Sequence, residues 1–333
     1  MMHGKKTKNE PVRMPKGFSS LPKPFFVLAP MDDVTDTVFR QIVTETAAPD
    51  LFFTEFVNVD GLQSPGRERL LPKLKFSDKE HPIVAQIWGK NPENYYKTTK
   101  DIIGMGYDGV DINMGCPDKA VVKNGCCSAL INNRELAGEI ITAVREAAGD
   151  HFPISVKCRV GFTTVDLSWI VFLLTQKLNM LTIHLRTTKE MSKVPAHWEL
   201  MGQIKEMRDR ISPATLLVGN GDVLTHKQGE ELAKKYDLDG VMIGRGIFQD
   251  PYVFSEKSVW DSVKKMERIA LYKKHVELFA KTWKNNERRI PTLNKFCKVY
   301  IQNFDGAKEL REKLMNAREI DELLTLLNAE LRR

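Results

Sequence analysis

From residue 25 onward, short runs of apolar and β-branched residues recur along the chain, at 25–30, 51–56, 82–88, 109–115, 153–159, 180–186, 215–220 and 240–245. Each is too short for a helix and is bounded by Gly, Pro, Asn or Asp, which reads as a buried strand. Between them apolar positions return every three or four residues, the spacing of a helix with one buried face. Helix starts and stops stand in the same stretches. Asn91-Pro92-Glu93 puts a cap before a first-turn proline, Thr225 and Gln228 have capping-box spacing, and Gly149 closes the amphipathic run 135–148. The second connection, 58–79, is the least regular. Eight strands alternating with helices over roughly 220 residues predict a parallel (β/α)8 TIM barrel, with a doubly wound α/β sheet as the other topology.

Strand parity sharpens the prediction, because alternate residues point to opposite faces. In the fifth run Ile154, Val156 and Cys158 share one face, and Ser155, Lys157 and Arg159 the other. The sixth sets Leu181, Ile183 and Leu185 against Thr182, His184 and Arg186. Gln86 falls with Val84 and Trp88, and Asn113 with Asp111 and Gly115. Apolar faces suit a helix layer, so the polar faces point into the barrel. A barrel interior is packed and dry, and Gln86, Asn113, Lys157 and His184 are costly there unless they reach the carboxyl-end rim and meet a ligand.

After residue 254 the pattern turns purely helical, over 270–283, 293–304, 307–316 and 319–331, with Pro291 and Gly306 as punctuation. Residues 263–300 hold 11 Lys/Arg against three Glu, with Tyr272, His275, Trp283 and Tyr300 interleaved. That is the make-up of a surface gripping folded RNA, with Lys273, Lys274 and Arg288 as expected contacts; a bundle with aromatic core and solvated lysines has the same make-up. The net charge of +7 divides accordingly: residues 1–24 carry six Lys/Arg against one acid, 25–254 carry 26 against 30, and 255–333 carry 18 against 12. A slightly acidic body with two basic ends fits an enzyme core with appendages for a polyanion. Residues 1–24, lysine-rich and broken by Pro11, Pro15, Pro22 and Pro24, are expected to form a disordered basic tail.

Composition narrows the class. Hydrophobic residues at 42% and charged residues at 28% are ordinary for a soluble globular protein. No apolar run approaches the roughly 18 residues a membrane span needs, and the first 24 residues lack a signal-peptide core, so a cytoplasmic protein is expected. Five cysteines without paired metal-ligand spacing fit a reducing compartment and argue against a disulfide framework and a zinc site.

Candidate chemistry gathers on Val110-Asp111-Ile112-Asn113-Met114-Gly115-Cys116-Pro117, a buried strand whose end delivers Asn113 and a thiol into a Gly/Pro-bounded loop. Taken alone, Cys116 reads as a proton donor or as a small buried hydrophobe. Val218-Gly219-Asn220-Gly221-Asp222 and Met242-Ile243-Gly244-Arg245-Gly246 place glycines just past the last two strands. Those loops hold phosphate in many barrels, because glycine lets backbone N–H groups approach closely and Arg245 adds a fixed charge.

Ala29-Pro30-Met31, Gln86, Asn113-Met114-Gly115-Cys116-Pro117, Lys157-Cys158-Arg159, His184, Asn220-Gly221-Asp222 and Gly244-Arg245-Gly246 together resemble the dihydrouridine synthase family, flavin-dependent enzymes that reduce uridines in transfer RNA. The Asn-Met-Gly-Cys-Pro segment, followed by Val121-Val122-Lys123 and Ser128-Ala129-Leu130, is the most specific part. The resemblance implies an FMN-binding catalytic barrel over 25–254 and a helical tRNA-binding domain over 255–333. On it, Pro30, Met31 and Asp32 line the flavin, Gln86 and Lys157 hydrogen-bond its ring system, and His184 contacts it. Asn220, Gly221, Asp222, Gly244 and Arg245 hold the ribityl phosphate, while Asn113 and Arg159 grip the target base. The implied mechanism has NADPH or NADH reduce the flavin, flavin N5 pass hydride to uracil C6, and Cys116 protonate C5 from the opposite face. A thiol of ordinary pKa, about 8.5, is mostly protonated at neutral pH and can still release its proton to a developing enolate. Lys157 and Arg159 stabilise that enolate, and the base leaves its stack to reach the flavin. A cytoplasmic monomer without membrane attachment or metal is expected.

Three features depart from the family pattern. Leu185 stands where a small residue commonly follows the histidine, Cys126-Cys127 replace small residues in a Gly-rich loop, and 191–198 differ from the commoner form, which leaves substrate contacts there open. Parity turns Leu185 outward, away from a flavin. Two other readings accompany the first: an FMN-dependent barrel oxidoreductase acting on a free pyrimidine-like small molecule, and a barrel without catalysis serving as an RNA-binding module. The basic helical end argues against one, and Cys116, Lys157 and Arg245 together against the other.

Overall fold

A computed structural model describes residues 18–284 and 287–332. Nine parallel strands are found among the described residues: β1 (Phe25–Leu28), β2 (Phe52–Phe53), β3 (Val57–Asn58), β4 (Ile83–Trp88), β5 (Gly109–Met114), β6 (Ile154–Arg159), β7 (Met180–His184), β8 (Leu216–Asn220) and β9 (Gly240–Ile243). Their order is β1-β9-β8-β7-β6-β5-β4-β2. The Leu28 N–H donates to Leu51 O at 3.3 Å, and Val27 pairs with Leu51, which closes the ring between first and last. Eight staves thus form the barrel, and β3 is a spur on the upper end of β4. The run expected as one strand over 51–56 is interrupted at residues 54–56, where Thr54 turns its hydroxyl to Glu55 O at 2.7 Å and Glu55 and Phe56 leave the ladder for the mouth.

The helices are α1 (Thr37–Ala47), α2 (Val59–Leu62), α3 (Pro92–Gly104), α4 (Lys119–Lys123), α5 (Arg134–Ala148), α6 (Leu167–Thr175), α7 (Met201–Ile211), α8 (His226–Tyr236), α9 (Lys265–Thr282), α10 (Asn294–Tyr300), α11 (Ala307–Asn316) and α12 (Ile320–Leu331). Side-chain caps start several of them: Asp36, Asn91, Asn133, Asp166 and Thr225 each accept from a first-turn N–H, meeting part of the demand of the four unpaired donors there. The capping box expected at α8 forms only by half. Thr225 Oγ1 accepts from Gln228 N at 3.1 Å, while Gln228 Oε1 takes the N–H of Leu224 at 2.8 Å. No described helix is long and apolar enough to cross a membrane.

Parity sorts the core into two layers. Ile154, Val156, Cys158, Leu181, Ile183 and Leu185 pack outward into the helix layer. Phe25, Val27, Leu51, Phe53, Val84, Met180, Val218 and Met242 fill the lower barrel. Gly240 is required there, since a Cβ would lie 2.5 Å from the Phe25 ring. The tail expected over residues 1–24 needs correcting at its end. Residues 1–17 lie outside the described residues, but Phe18 is buried against Gly109 at the barrel floor, and Lys23 pairs with Asp239 at 2.5 Å. An aromatic plug and an ion pair hold this stretch to the barrel despite its prolines.

The C-terminal helices share the apolar layer of the barrel helices. Tyr272, His275, Trp283 and Tyr300 are all buried, so the aromatics offered as an RNA surface are core. Phe39 of α1 packs against Phe296 at 4.8 Å and His275 at 6.0 Å between ring centres.

Candidate active site at the barrel mouth

The end of β5 builds the thiol loop. Asn113 Oδ1 accepts the N–H groups of Gly115 at 3.0 Å and Cys116 at 2.9 Å, turning the chain sharply after Met114. Its amide nitrogen donates to Gln86 Oε1 at 2.9 Å, and Gln86 donates in turn to Asp111 Oδ2 at 2.7 Å. Ser155 donates to Asp111 Oδ1 at 2.6 Å. Arg159 gives its Nε–H to Gly115 O at 2.7 Å and Nη1 to Thr187 O and Met191 O at 2.9 and 3.1 Å. Every polar atom of Asn113 and most of Arg159 is therefore committed to the chain itself. The two residues hold the Cys116 loop, and neither lines a cavity at the mouth.

Two cavities open side by side at the carboxyl ends of the staves. One, of about 230 Å³, is lined by Ala29, Pro30, Met31, Lys157, His184, Arg186, Ser192, Asn220 to Leu224, Gly244 and Arg245. Its floor is cationic. The Lys157 ammonium has no side-chain hydrogen bond or ion pair among the described residues, and burial followed by the neighbouring Arg159 charge brings it down to about 8. Burial, reinforced by Lys157, Arg159, Arg186 and Arg245, drives the His184 pKa far down, so the ring is neutral. Arg186 Nη1 donates to His184 Nε2 at 3.3 Å, which leaves the ring proton on Nδ1. Asp222 pairs with Arg186 and with Arg245 Nη2 at 2.9 Å, orienting both guanidinium groups. Gly221 has φ +135°, and a Cβ there would stand 2.7 Å from Ala196 Cβ.

The second cavity, about 380 Å³, is lined by Asp32, Phe56, Asn58, Leu70, Lys73, Trp88, Cys116, Asp118 and Val121. Residues 31 and 32 separate it from the first. The Cys116 thiol is lowered to about 7, chiefly by a hydrogen bond from the Cys127 thiol, against the opposing effect of burial. Beneath both cavities Asp111 is raised to about 6 by burial, in spite of its bonds from Ser155 and Gln86. Asp32, Asp33 and Glu55 come close enough to share a cation, but Lys73 pairs with Asp32 and Arg288 with both others.

The structure thus brings Pro30, Met31, Lys157, His184, Asn220, Gly221, Asp222, Gly244 and Arg245 around one cavity, and Asp32 and Cys116 around its neighbour. Gln86, Asn113 and Arg159 lie beneath as a hydrogen-bonded support. Sequence reasoning missed Arg186, although parity had already placed it on the inner face with His184, and missed Asp111, the carboxylate that anchors Gln86. The expected RNA contacts also change. Lys273 pairs with Glu277 of its own helix, while Lys274 pairs with Glu45 and Arg288 is sunk between Glu55 and Asp33 of the barrel.

A family model described as dihydrouridine synthase matches residues 27–333. The chain is similar to the "Probable tRNA-dihydrouridine synthase" of Staphylococcus aureus strain Mu50, 48% identical over 314 residues that cover 93% of this chain and 94% of that one. It is also similar to the "Probable tRNA-dihydrouridine synthase 2" of Bacillus subtilis strain 168, at 46% identity over 311 residues, 92% of this chain and 94% of that one. Among solved structures, histamine dehydrogenase from Rhizobium sp. 4-9 shares the fold, with a TM-score of 0.54 at 13% identity over 76% of this chain and 48% of that one.

Proposed function

Because the chain belongs to the dihydrouridine synthase family, we propose that it reduces the 5,6-double bond of uridines in tRNA to dihydrouridine, with FMN held at the barrel mouth and NADPH or NADH as reductant. The observation that carries this reading is one wall with two occupants' worth of chemistry: a cationic, glycine-lined cavity on one side of Met31 and Asp32, and the Cys116 thiol on the other.

The residues fit a flavin nucleotide. Lys157 is partly buried, lines the cavity and offers an ammonium with no side-chain partner among the described residues, suited to a carbonyl or nitrogen acceptor of a ring system. Gln86 keeps one amide hydrogen beyond the one it gives Asp111. Gly221 and Gly244 admit a close backbone approach, Arg245 adds an exposed charge, and Asn220 fixes the two loops by donating to Met242 O at 2.9 Å. Pro30, Met31 and Asp32 form the wall, and neutral His184 can donate from Nδ1. Asp222, itself an anion, serves by aiming Arg186 and Arg245. The chemistry a bound flavin supplies is hydride transfer, received from the nicotinamide and passed to the substrate.

The chain's own part is the proton. Cys116, with a pKa of about 7, holds a proton that it can give to C5 as negative charge builds on the pyrimidine. Lys157, protonated below about 8, stabilises that charge electrostatically, and Asn113 and Arg159 fix the loop that aims the sulfur. Purified protein is expected to bind FMN and absorb as a flavoprotein. Cys116→Ala should keep the flavin and lose dihydrouridine formation by about 100-fold or more on tRNA that lacks the modification. Full turnover in that variant would remove Cys116 as donor, and a protein that cannot be loaded with FMN would remove the flavin reading.

A further inference from the structure

We propose that Cys116 and Cys127 are a redox modification site, closing a reversible disulfide when the protein meets a hydroperoxide. The geometry joins the two segments directly. Ser128 N donates to Cys116 O at 3.4 Å, which sets Cys127 beside Cys116, and the two thiols interact strongly enough that each shifts the other's acidity. Cys127 stands at φ 53°, a left-handed conformation that is unfavourable for an L-residue and favours glycine. A side chain is nevertheless present there, fully buried and next in the chain to the residue that bonds Cys116 O. Cys126, by contrast, turns its sulfur to Asn124 O at 3.8 Å.

Access is unequal in the way such a pair needs. Cys116 lines the 380 Å³ cavity, whereas Cys127 is completely buried behind it. An oxidant entering the cavity meets Cys116 first, and the second thiol approaches from inside the protein. In the first step the Cys116 thiolate attacks the peroxide oxygen; an S–O bond forms, the O–O bond breaks, and water or an alcohol leaves. In the second, Cys127 gives up its proton and attacks the sulfenic sulfur; the S–S bond forms and water leaves. Two electrons pass from the two thiols to the peroxide, and an external dithiol reverses the change. A disulfide at Cys116 removes its transferable proton, so dihydrouridine formation stops; that consequence rests on the proposed function, while the bond does not.

The test treats the holoprotein with hydrogen peroxide, blocks free thiols and analyses a non-reducing tryptic digest by mass spectrometry. Cleavage after Lys119 and Lys123 puts Cys116 on a different peptide from Cys126 and Cys127. Wild-type protein and Cys126→Ser should both yield the 116–127 cross-link, and dithiothreitol should remove it and restore turnover. In Cys127→Ser and Cys127→Ala the cross-link should be missing, Cys116 should proceed to the sulfinic acid, and dithiothreitol should restore nothing. A wild-type digest without the 116–127 peptide, or a bond to Cys126 instead, would overturn the proposal. A cross-link that forms in a protein inactive on tRNA would leave the site standing and defeat the proposed function.

Discussion

A thiol that serves as a proton donor works best when its pKa stands near the ambient pH, and Cys116 is brought to about 7 mainly by its neighbour Cys127. The sign follows directly. Below pH 7 the sulfur carries the proton that the proposed donor role requires; above, that fraction falls tenfold per unit. Single-turnover reduction of tRNA by pre-reduced enzyme should therefore decline above about pH 7, and Cys127→Ala, which removes the largest cause of the shift, should move that limb to higher pH. An unmoved limb would mean that the limb belongs to another group. Lys157, at about 8, is the first alternative, and Lys157→Met distinguishes the two by abolishing a Lys157 limb. How much of this site could be read beforehand follows from what each residue touches. Lys157 and His184 were legible because a charged or polar side chain on the inner face of a strand has few other uses. Arg186 sits at the same parity, but a guanidinium just past a strand end looks like any surface arginine until Asp222 and His184 are seen beside it. The partners of Arg159 are carbonyls of residues 115, 187 and 191, and no side-chain pattern announces a backbone carbonyl.

At the scale of elements, the fold of the barrel was legible because its signal is local: run length, parity and caps. The seating of α9 was not, since its charged residues alternate with the buried face formed by Ile269, Tyr272, Val276 and Phe279. Those aromatics fill the groove beside α1, and two consequences can be measured. Arg288 lies against the fully buried carboxylate of Glu55 and against Asp33, while Trp283 Nε1 donates to Asp36 at 3.1 Å. Burial raises both Glu55 and Asp36, with Arg288 opposing. Removing the cation leaves a buried acid unpaired, so Arg288→Met should cost about 3–5 kcal/mol in urea unfolding, and adding Glu55→Gln should recover part of it. A loss in the double variant equal to the sum of the losses in Arg288→Met and Glu55→Gln would show that the pair is not coupled. His275, buried and sharing a 3.0 Å hydrogen bond with Tyr300, is lowered to about 3 by burial. The unfolded chain takes up a proton at about 6.5 that the folded one refuses, so this contribution is whole above pH 6.5 and fades as pH falls toward 3. Between pH 6.5 and 5 the loss should be about 2 kcal/mol, and His275→Asn should flatten that slope; a slope unchanged in the variant would assign it elsewhere.

For the whole molecule the question is where a large polyanion rests on a body of mixed charge. The basic balance of the C-terminal region was plain in the sequence, but a count of lysines does not say which are already paired. Lys273, Lys274 and Arg288 face acids of their own helix or of the barrel, and reversing them disturbs the protein before it disturbs a ligand. A different group remains. Lys298, Lys308 and Arg311 border a cleft of about 550 Å³ between α10 and α11, with Gln302 and Asn303 beside them. Lys298 and Lys308 are exposed and not ion-paired among the described residues, and Arg311 is fixed by donating to Ile301 O at 2.7 Å. Fixed charge beside neutral amides suits phosphate and ribose, and each phosphate contact releases a counterion, so affinity falls with salt by roughly 0.7–0.9 in log–log slope per contact. Lys298→Glu with Lys308→Glu is expected to weaken tRNA binding at about 0.1 M salt by roughly 10- to 100-fold and to reduce the salt slope by about two contacts. Flavin reduction by the nicotinamide should be unaltered, because the cleft shares no lining residue with the two mouth cavities. Wild-type affinity with an unchanged slope would move the RNA surface off α10 and α11, and the exposed Lys281 in the last turn of α9, with Lys284 and Arg289 beyond it, would be the next cations to reverse.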